Sequence, residues 1–116
     1  MLHNTADMLN KGNLAFQNKQ YDEALKFYKE AMRLSPQDSV AICKVALTFY
    51  KLKDFKSAIE LYNQALEICP NDRDILYALG LVYAKSGDKM KAISACDKLR
   101  KIHPEKGEAL YKIIYE

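Results

Sequence analysis

The residues best suited to nucleophilic or metal chemistry are three cysteines, Cys43, Cys69 and Cys96, and two histidines, His3 and His103. A reactive thiolate needs a cation or base beside it, and a zinc site needs closely spaced Cys or His ligands. The cysteines are odd in number and lack a Cys-x-x-Cys spacing, so neither a disulfide framework nor a zinc knuckle is expected. Cys43 has only Lys44 as a flanking cation, and adjacent helical residues do not face each other. The thiols therefore read as small buried or half-buried hydrophobes. His103 precedes Pro104 and is expected to cap carbonyls at a helix end, while His3 stands in an N-terminus expected to fray. The carboxylate pair Asp22-Glu23 falls in a turn and is expected to be solvated. No His-x-x-x-His, Gly-x-Gly-x-x-Gly or Gly-Lys-Ser string occurs, so no metal, nucleotide or other cofactor site is expected. The chain does not read as an enzyme.

What remains is a framework whose residues position a surface. Apolar residues make up 49% and charged residues 28% of 116, the balance of one ordinary folded domain over 1–116. No run approaches the roughly 18 apolar residues of a membrane span. The segment Met1 to Asn13 lacks a basic end followed by an apolar core, so a cytoplasmic protein without membrane insertion is expected. Residues 1–72 hold nine Lys/Arg and nine Asp/Glu, whereas 73–116 hold nine and six, which places the whole +3 excess in the last third. Lys89, Lys91, Lys98, Arg100, Lys101 and Lys106 could form a weakly basic face for an acidic partner. Asp97 and Glu105 interrupt it, and nucleic-acid binding is not expected.

Three segments align without gaps at an offset of 34 residues: Gly12 to Pro36, Ala46 to Pro70 and Gly80 to Pro104. A small residue (Gly12, Ala46, Gly80) is followed twelve positions later by alanine (Ala24, Ala58, Ala92) and twelve later again by proline (Pro36, Pro70, Pro104). Between small residue and alanine lie polar breaks, Lys19-Gln20-Tyr21-Asp22, Lys53-Asp54 and Ser86-Gly87-Asp88. Each unit thus reads as two antiparallel helices joined by a tight turn, the small residues facing each other where the axes approach. Each proline is expected to close a second helix, and the next to begin near Asp38, Asp72 or Glu105, where a carboxylate suits free amides.

On these residues the chain resembles the tetratricopeptide repeat family, whose unit is a 34-residue helix-turn-helix. With boundaries at 5–38, 39–72 and 73–106, signature positions fall on Gly12, Ala24, Tyr28, Ala31 and Pro36. They fall next on Ala46, Phe49, Phe55, Ala58, Tyr62, Ala65 and Pro70, and then on Leu79, Gly80, Tyr83, Ala92 and Pro104. The third copy is degenerate, with Lys89 for a turn aromatic, Cys96 for an aromatic and Leu99 for a small residue. In 107–116, Ala109, Leu110, Ile113 and Ile114 share a helical face, so a short capping helix matched to Leu99 is expected. The resemblance implies an all-α, right-handed α-solenoid of three helix-turn-helix units and this cap.

In the first helix of each unit, about 100° per residue separates two stripes. Met8, Gly12, Ala15; Ile42, Val45, Ala46, Phe49; and Leu76, Leu79, Gly80, Tyr83 form the expected core stripe. The other runs through Leu9, Asn13, Phe16; Cys43, Leu47, Tyr50; and Tyr77, Leu81, Ala84. The resemblance implies that this second stripe lines a concave ligand-holding surface. Eight of its nine side chains are apolar or aromatic, the mark of a binding patch. Family members often carry asparagine at the places of Leu47 and Leu81, and only Asn13 keeps it here. With few amides to satisfy an extended backbone, an amphipathic helix with apolar anchors is the expected partner. The carboxylate clamp with which relatives hold heat-shock chaperone C-termini has Lys, Asn, Asn, Lys and Arg where this chain has Leu9, Asn13, Lys44, Asp74 and Ala78; only Asn13 matches, so that role is not expected. A scaffold or adaptor is the leading reading. The alternative is a dedicated chaperone shielding an apolar segment of one client, which could self-associate through the groove when empty.

Overall fold

The structure, a computed structural model, describes residues 4–116, and His3 lies outside them. The described residues form seven helices and no strand: α1 Thr5–Gln17, α2 Tyr21–Leu34, α3 Ser39–Lys51, α4 Phe55–Ile68, α5 Arg73–Ser86, α6 Lys89–Ile102 and α7 Pro104–Tyr115. Thr5, Ser39 and Arg73 open the first helices, and Leu34, Ile68 and Ile102 end the second ones, so the sequence period of 34 reappears as a period of helix ends.

Capping chemistry sets these ends. Asp38 accepts from the amides of Val40 and Ala41 at 2.9 and 3.4 Å, and Asp72 from those of Asp74 and Ile75 at 2.9 and 3.1 Å. Each carboxylate satisfies amides that the first helical turn leaves without an intrahelical acceptor. Asn4, Asp54 and Asp88 do the same for the amides of Asp7, Ser57 and Lys91. The turns inside the repeats are one motif used three times. Lys19 (φ 59°), Lys53 (φ 65°) and Gly87 (φ 91°) are left-handed, and the next residue's amide reaches back to Ala15, Phe49 and Tyr83 respectively, each at 2.9 Å.

The helices form two compact units, the first ending at Leu61 and the second running from Tyr62 to Glu116. In the first, Ala15, Ala24, Tyr28 and Val45 form one buried cluster, and Met8, Ala31 and Ala41 another. In the second, Leu76, Cys96, Leu99 and Leu110 are buried together. The small residues do not simply face each other. A Cβ on Gly12 would sit 2.5 Å from the Tyr28 ring, so this glycine makes room for an aromatic rather than for Ala24. At the equivalent Gly80, a Cβ would sit 2.5 Å from Leu110 Cδ2 and 3.5 Å from Ala95 Cβ. Cys96 stands 34 residues on from Tyr62 and 68 from Tyr28. A thiol cannot fill a phenol's volume, and the capping helix supplies Leu110 against Gly80 instead. That is how the degenerate third repeat keeps a closed core, with the oversized Leu99 fully buried against the same leucine.

The last helix starts within a residue of the expected Glu105 and three residues before the expected bound of the cap at 107: α6 ends at Ile102, two residues before its proline as in the earlier repeats, and Pro104 is the first residue of α7. In the earlier repeats, Pro36-Gln37-Asp38 and Pro70-Asn71-Asp72 place an aspartate ready to cap two residues after proline. Pro104-Glu105-Lys106 has none there, so the helix begins at the proline, whose fixed φ and missing amide suit the first position. His103 caps both helices: its own amide donates to the Leu99 carbonyl at the end of α6 at 2.7 Å, and its Nδ1 accepts from the Lys106 amide at the start of α7 at 3.1 Å. The buried face of α7 is also narrower than expected. Gly107 and Leu110 are buried and Ile114 is half-buried, whereas Ala109 and Ile113 are exposed. Gly107 permits the approach of α7 to α6, since a Cβ on it would lie 2.6 Å from Arg100 Cα and 2.7 Å from Arg100 N.

Candidate functional site

All nine residues of the candidate binding stripe are half-buried. Helical geometry explains this. The stripe flanks the core-facing side of α1, α3 and α5, so each side chain is held by neighbours along one edge and open along the other.

In the first unit, Leu9 packs against both core clusters and Phe16 against the one around Tyr28. Asn13, Phe16 and Leu47 line a cleft of about 280 Å³ together with Gln17, Tyr28 and Lys44. The Phe16 ring meets Tyr21 edge-on, centroids 5.2 Å apart, which fixes it as a wall. The Tyr28 hydroxyl donates to Asn13 Oδ1, and burial pushes the pKa of the phenol up. With its oxygen engaged, Asn13 offers its amide hydrogens. The cleft thus combines an apolar wall from Phe16 and Leu47 with donors from Asn13 and Lys44. Tyr50 lies beside Phe55, ring centroids 5.7 Å apart, and Cys43 is half-buried.

Three cleft residues, Gln17, Tyr28 and Lys44, lie outside the expected stripe. Gln17 is one helical turn beyond Asn13 and could have been found by extending that row. Tyr28 belongs to α2, and only the packing of two helices brings it in. Lys44 was placed at a clamp position by resemblance, and its share of a cleft with Asn13 is visible only after folding.

In the second unit, Tyr77 and Leu81 pack against the cluster of Leu76, Cys96, Leu99 and Leu110, with Ile114 of α7 beside them. Lys106 lies 4.9 Å from the Tyr77 ring centroid and 3.6 Å from Asp74 Oδ1. The capping helix therefore occupies part of what the third repeat offers and leaves Tyr77, Leu81 and Ala84 half-open. Contacts within the unit engage part of the expected basic face without removing its charge. Lys89, Lys91 and Arg100 lie over the rings of Tyr115, Tyr83 and Tyr111, and Arg100 also pairs with Glu108 at 3.4 Å.

Among the described residues no group of three His, Cys, Asp or Glu side chains is placed to hold a metal ion. None of the helices is long and apolar enough to cross a membrane, again among the described residues. Cys96 is buried, its thiol donates to the Gly107 carbonyl at 3.3 Å, and burial raises its pKa, the setting of a structural thiol.

Antiparallel helix pairs at a 34-residue period, closed by a terminal helix, define an all-α helical-repeat fold. Family models agree: tetratricopeptide repeat models match residues 8–38 and 74–106, and a further TPR repeat model matches 46–87. The chain belongs to the tetratricopeptide repeat family and has its all-α solenoid fold. Solved structures similar to it include the Arabidopsis OM64 TPR domain (22% identity, 96% of this chain and 93% of that one, TM-score 0.87). Others are the first TPR of Spaghetti (RPAP3) bound to the HSP90 peptide SRMEEVD (20%, 96% and 90%, TM-score 0.88) and the Sgt2 TPR domain from Aspergillus fumigatus (18%, 96% and 76%, TM-score 0.86). No curated protein matches the sequence significantly.

Proposed function

We propose that this chain is a protein-interaction module, a scaffold or adaptor, whose half-open stripe residues take an amphipathic helical segment of a partner protein. The observation that carries this reading is the half-burial of all nine stripe residues, three on each of α1, α3 and α5 and eight of them apolar or aromatic. A helix suits it because its backbone is already hydrogen-bonded, and Leu47 and Leu81 offer it no backbone partner. Each well-buried Leu or Phe anchor would contribute about 1.5–3 kcal/mol, enough for two or three anchors to support micromolar affinity after the cost of association.

The test is affinity capture with the native chain and a Leu47→Asp, Leu81→Asp double variant. Both positions are half-buried, so circular dichroism on the same samples separates lost binding from lost fold. A partner retained by the native chain alone supports the proposal; equal retention by a folded double variant removes it.

A specific observation keeps a second reading in view. Asn13 and Lys44 share one cleft, and the Spaghetti domain holds an acidic peptide. Asp74 is neutralised in part by Lys106, which softens its repulsion of a carboxylate. Leu9 and Ala78 still leave two clamp positions without a donor. Titration with SRMEEVD is expected to give binding much weaker than that of the captured partner; comparable affinity would favour the clamp reading.

A further inference from the structure

A second cleft, of about 210 Å³, lies within the second unit between residues of α4, α5 and α6. Its floor is apolar, with Leu66 from α4 and Leu76 and Leu79 from α5. Its rim is made of donors. Lys91 and Lys98 stand seven residues apart on α6, a rise of roughly 10 Å along the helix. Ser94 lies between them, and Asn63 closes the rim from α4, its amide donating to the Tyr83 hydroxyl at 3.2 Å. Lys91, Ser94 and Lys98 are exposed, and among the described residues no carboxylate lines the cleft.

The repeats supply an internal control on whether the fold needs these cations. The places of Lys91 and Lys98 are held by Ser57 and Gln64 in the second repeat and by Glu23 and Glu30 in the first. The helix forms with either sign of charge or with none at these two places, so it does not require the cations, although Lys91 also lies 5.8 Å from the Tyr83 ring centroid. They also lie in the third of the chain that carries all the net positive charge.

We infer that this cleft is a second docking site, separate from the stripe, for an acidic segment of a partner protein that places one apolar side chain between Lys91 and Lys98. The apolar side chain fills the leucine-lined floor, and flanking carboxylates pair with the two ammonium groups, with Ser94 and Asn63 as further donors. The attraction is between exposed charges and is therefore salt-dependent.

The experiment is a two-dimensional NMR titration of the full chain with a blocked synthetic peptide, Glu-Glu-Leu-Glu-Glu, and with its Lys-Lys-Leu-Lys-Lys counterpart. The acidic peptide is expected to move the resonances of Lys91, Ser94, Lys98 and Leu79 and to lose at least tenfold in affinity in a Lys91→Glu, Lys98→Glu variant. Helicity of that variant should be unchanged, since both side chains are exposed, and a Lys91→Gln, Lys98→Gln variant should fall between the two. Equal response to both peptides, shifts confined to the α1, α3 and α5 stripe, or unchanged affinity in the folded variants would overturn the site. Inorganic phosphate reproducing the full response would also overturn it, by showing an anion site with no use for the apolar floor.

Discussion

At the turn inside each repeat, Lys19, Lys53 and Gly87 occupy the same left-handed backbone position, and only the last is a residue free of a Cβ penalty there. Replacing Lys19 or Lys53 by glycine should therefore raise stability by roughly 0.5–1 kcal/mol each, the relief of backbone strain outweighing the added freedom of the unfolded chain. Gly87→Ala should cost about 1 kcal/mol, and purely through the backbone, because a Cβ there meets no atom within 4 Å. Urea denaturation of the three variants measures both signs. The same scale decides the behaviour of Cys96. Only 1% exposed and hydrogen-bonded, it should be alkylated by iodoacetamide far more slowly than half-buried Cys43 and Cys69, as read by mass spectrometry of native protein. Its folded pKa is raised by desolvation above the ordinary 9.0, so the unfolded thiol ionises first. The contribution to stability is fully present below that value and is lost as pH rises through the folded pKa, and Cys96→Ala should remove this alkaline dependence.

At the scale of elements, α7 is part of the second unit's core rather than an accessory. Leu110 contacts the Gly80 position, shares a buried cluster with Leu99 and is fully buried. Leu110→Ala should cost about 2–5 kcal/mol, the usual range for a leucine cavity. Gly107→Ala should be comparably severe for a different reason, since its Cβ would meet the Arg100 backbone, which cannot rotate away. In both variants hydrogen exchange should accelerate in α5, α6 and α7, while the amides of α1 and α2 keep their native protection; uniform acceleration along the chain would refute this assignment. Conversely, Cys96→Tyr restores the residue type of Tyr28 and Tyr62 yet should destabilise, because Leu110 and Leu99 already fill that volume.

For the molecule as a whole, the proposed adaptor role and a client-chaperone role make opposite demands on the empty protein. An adaptor with a half-buried stripe should remain monomeric in light scattering as its concentration rises. Growth of scattering abolished by Leu47→Asp with Leu81→Asp would instead indicate a surface that shields itself. What the sequence alone determined is the repeat. A period of 34 in small residues, alanines and prolines is a local and recurrent signal, and the caps and turns that mark helix ends act over a few residues. It also located the stripe, since one helical wheel is enough to assign Leu9, Asn13 and Phe16 to one side. Tertiary structure decided what depends on residues far apart in sequence. Tyr28 against Gly12, Leu110 against Gly80, and the cleft joining Asn13 to Lys44 follow from which helices meet, and side-chain volume is matched across helices rather than along them. The repeat logic brought the start of α7 to within a residue of Pro104, but not its cap: no aspartate stands two residues after this proline, and His103 caps the helix instead.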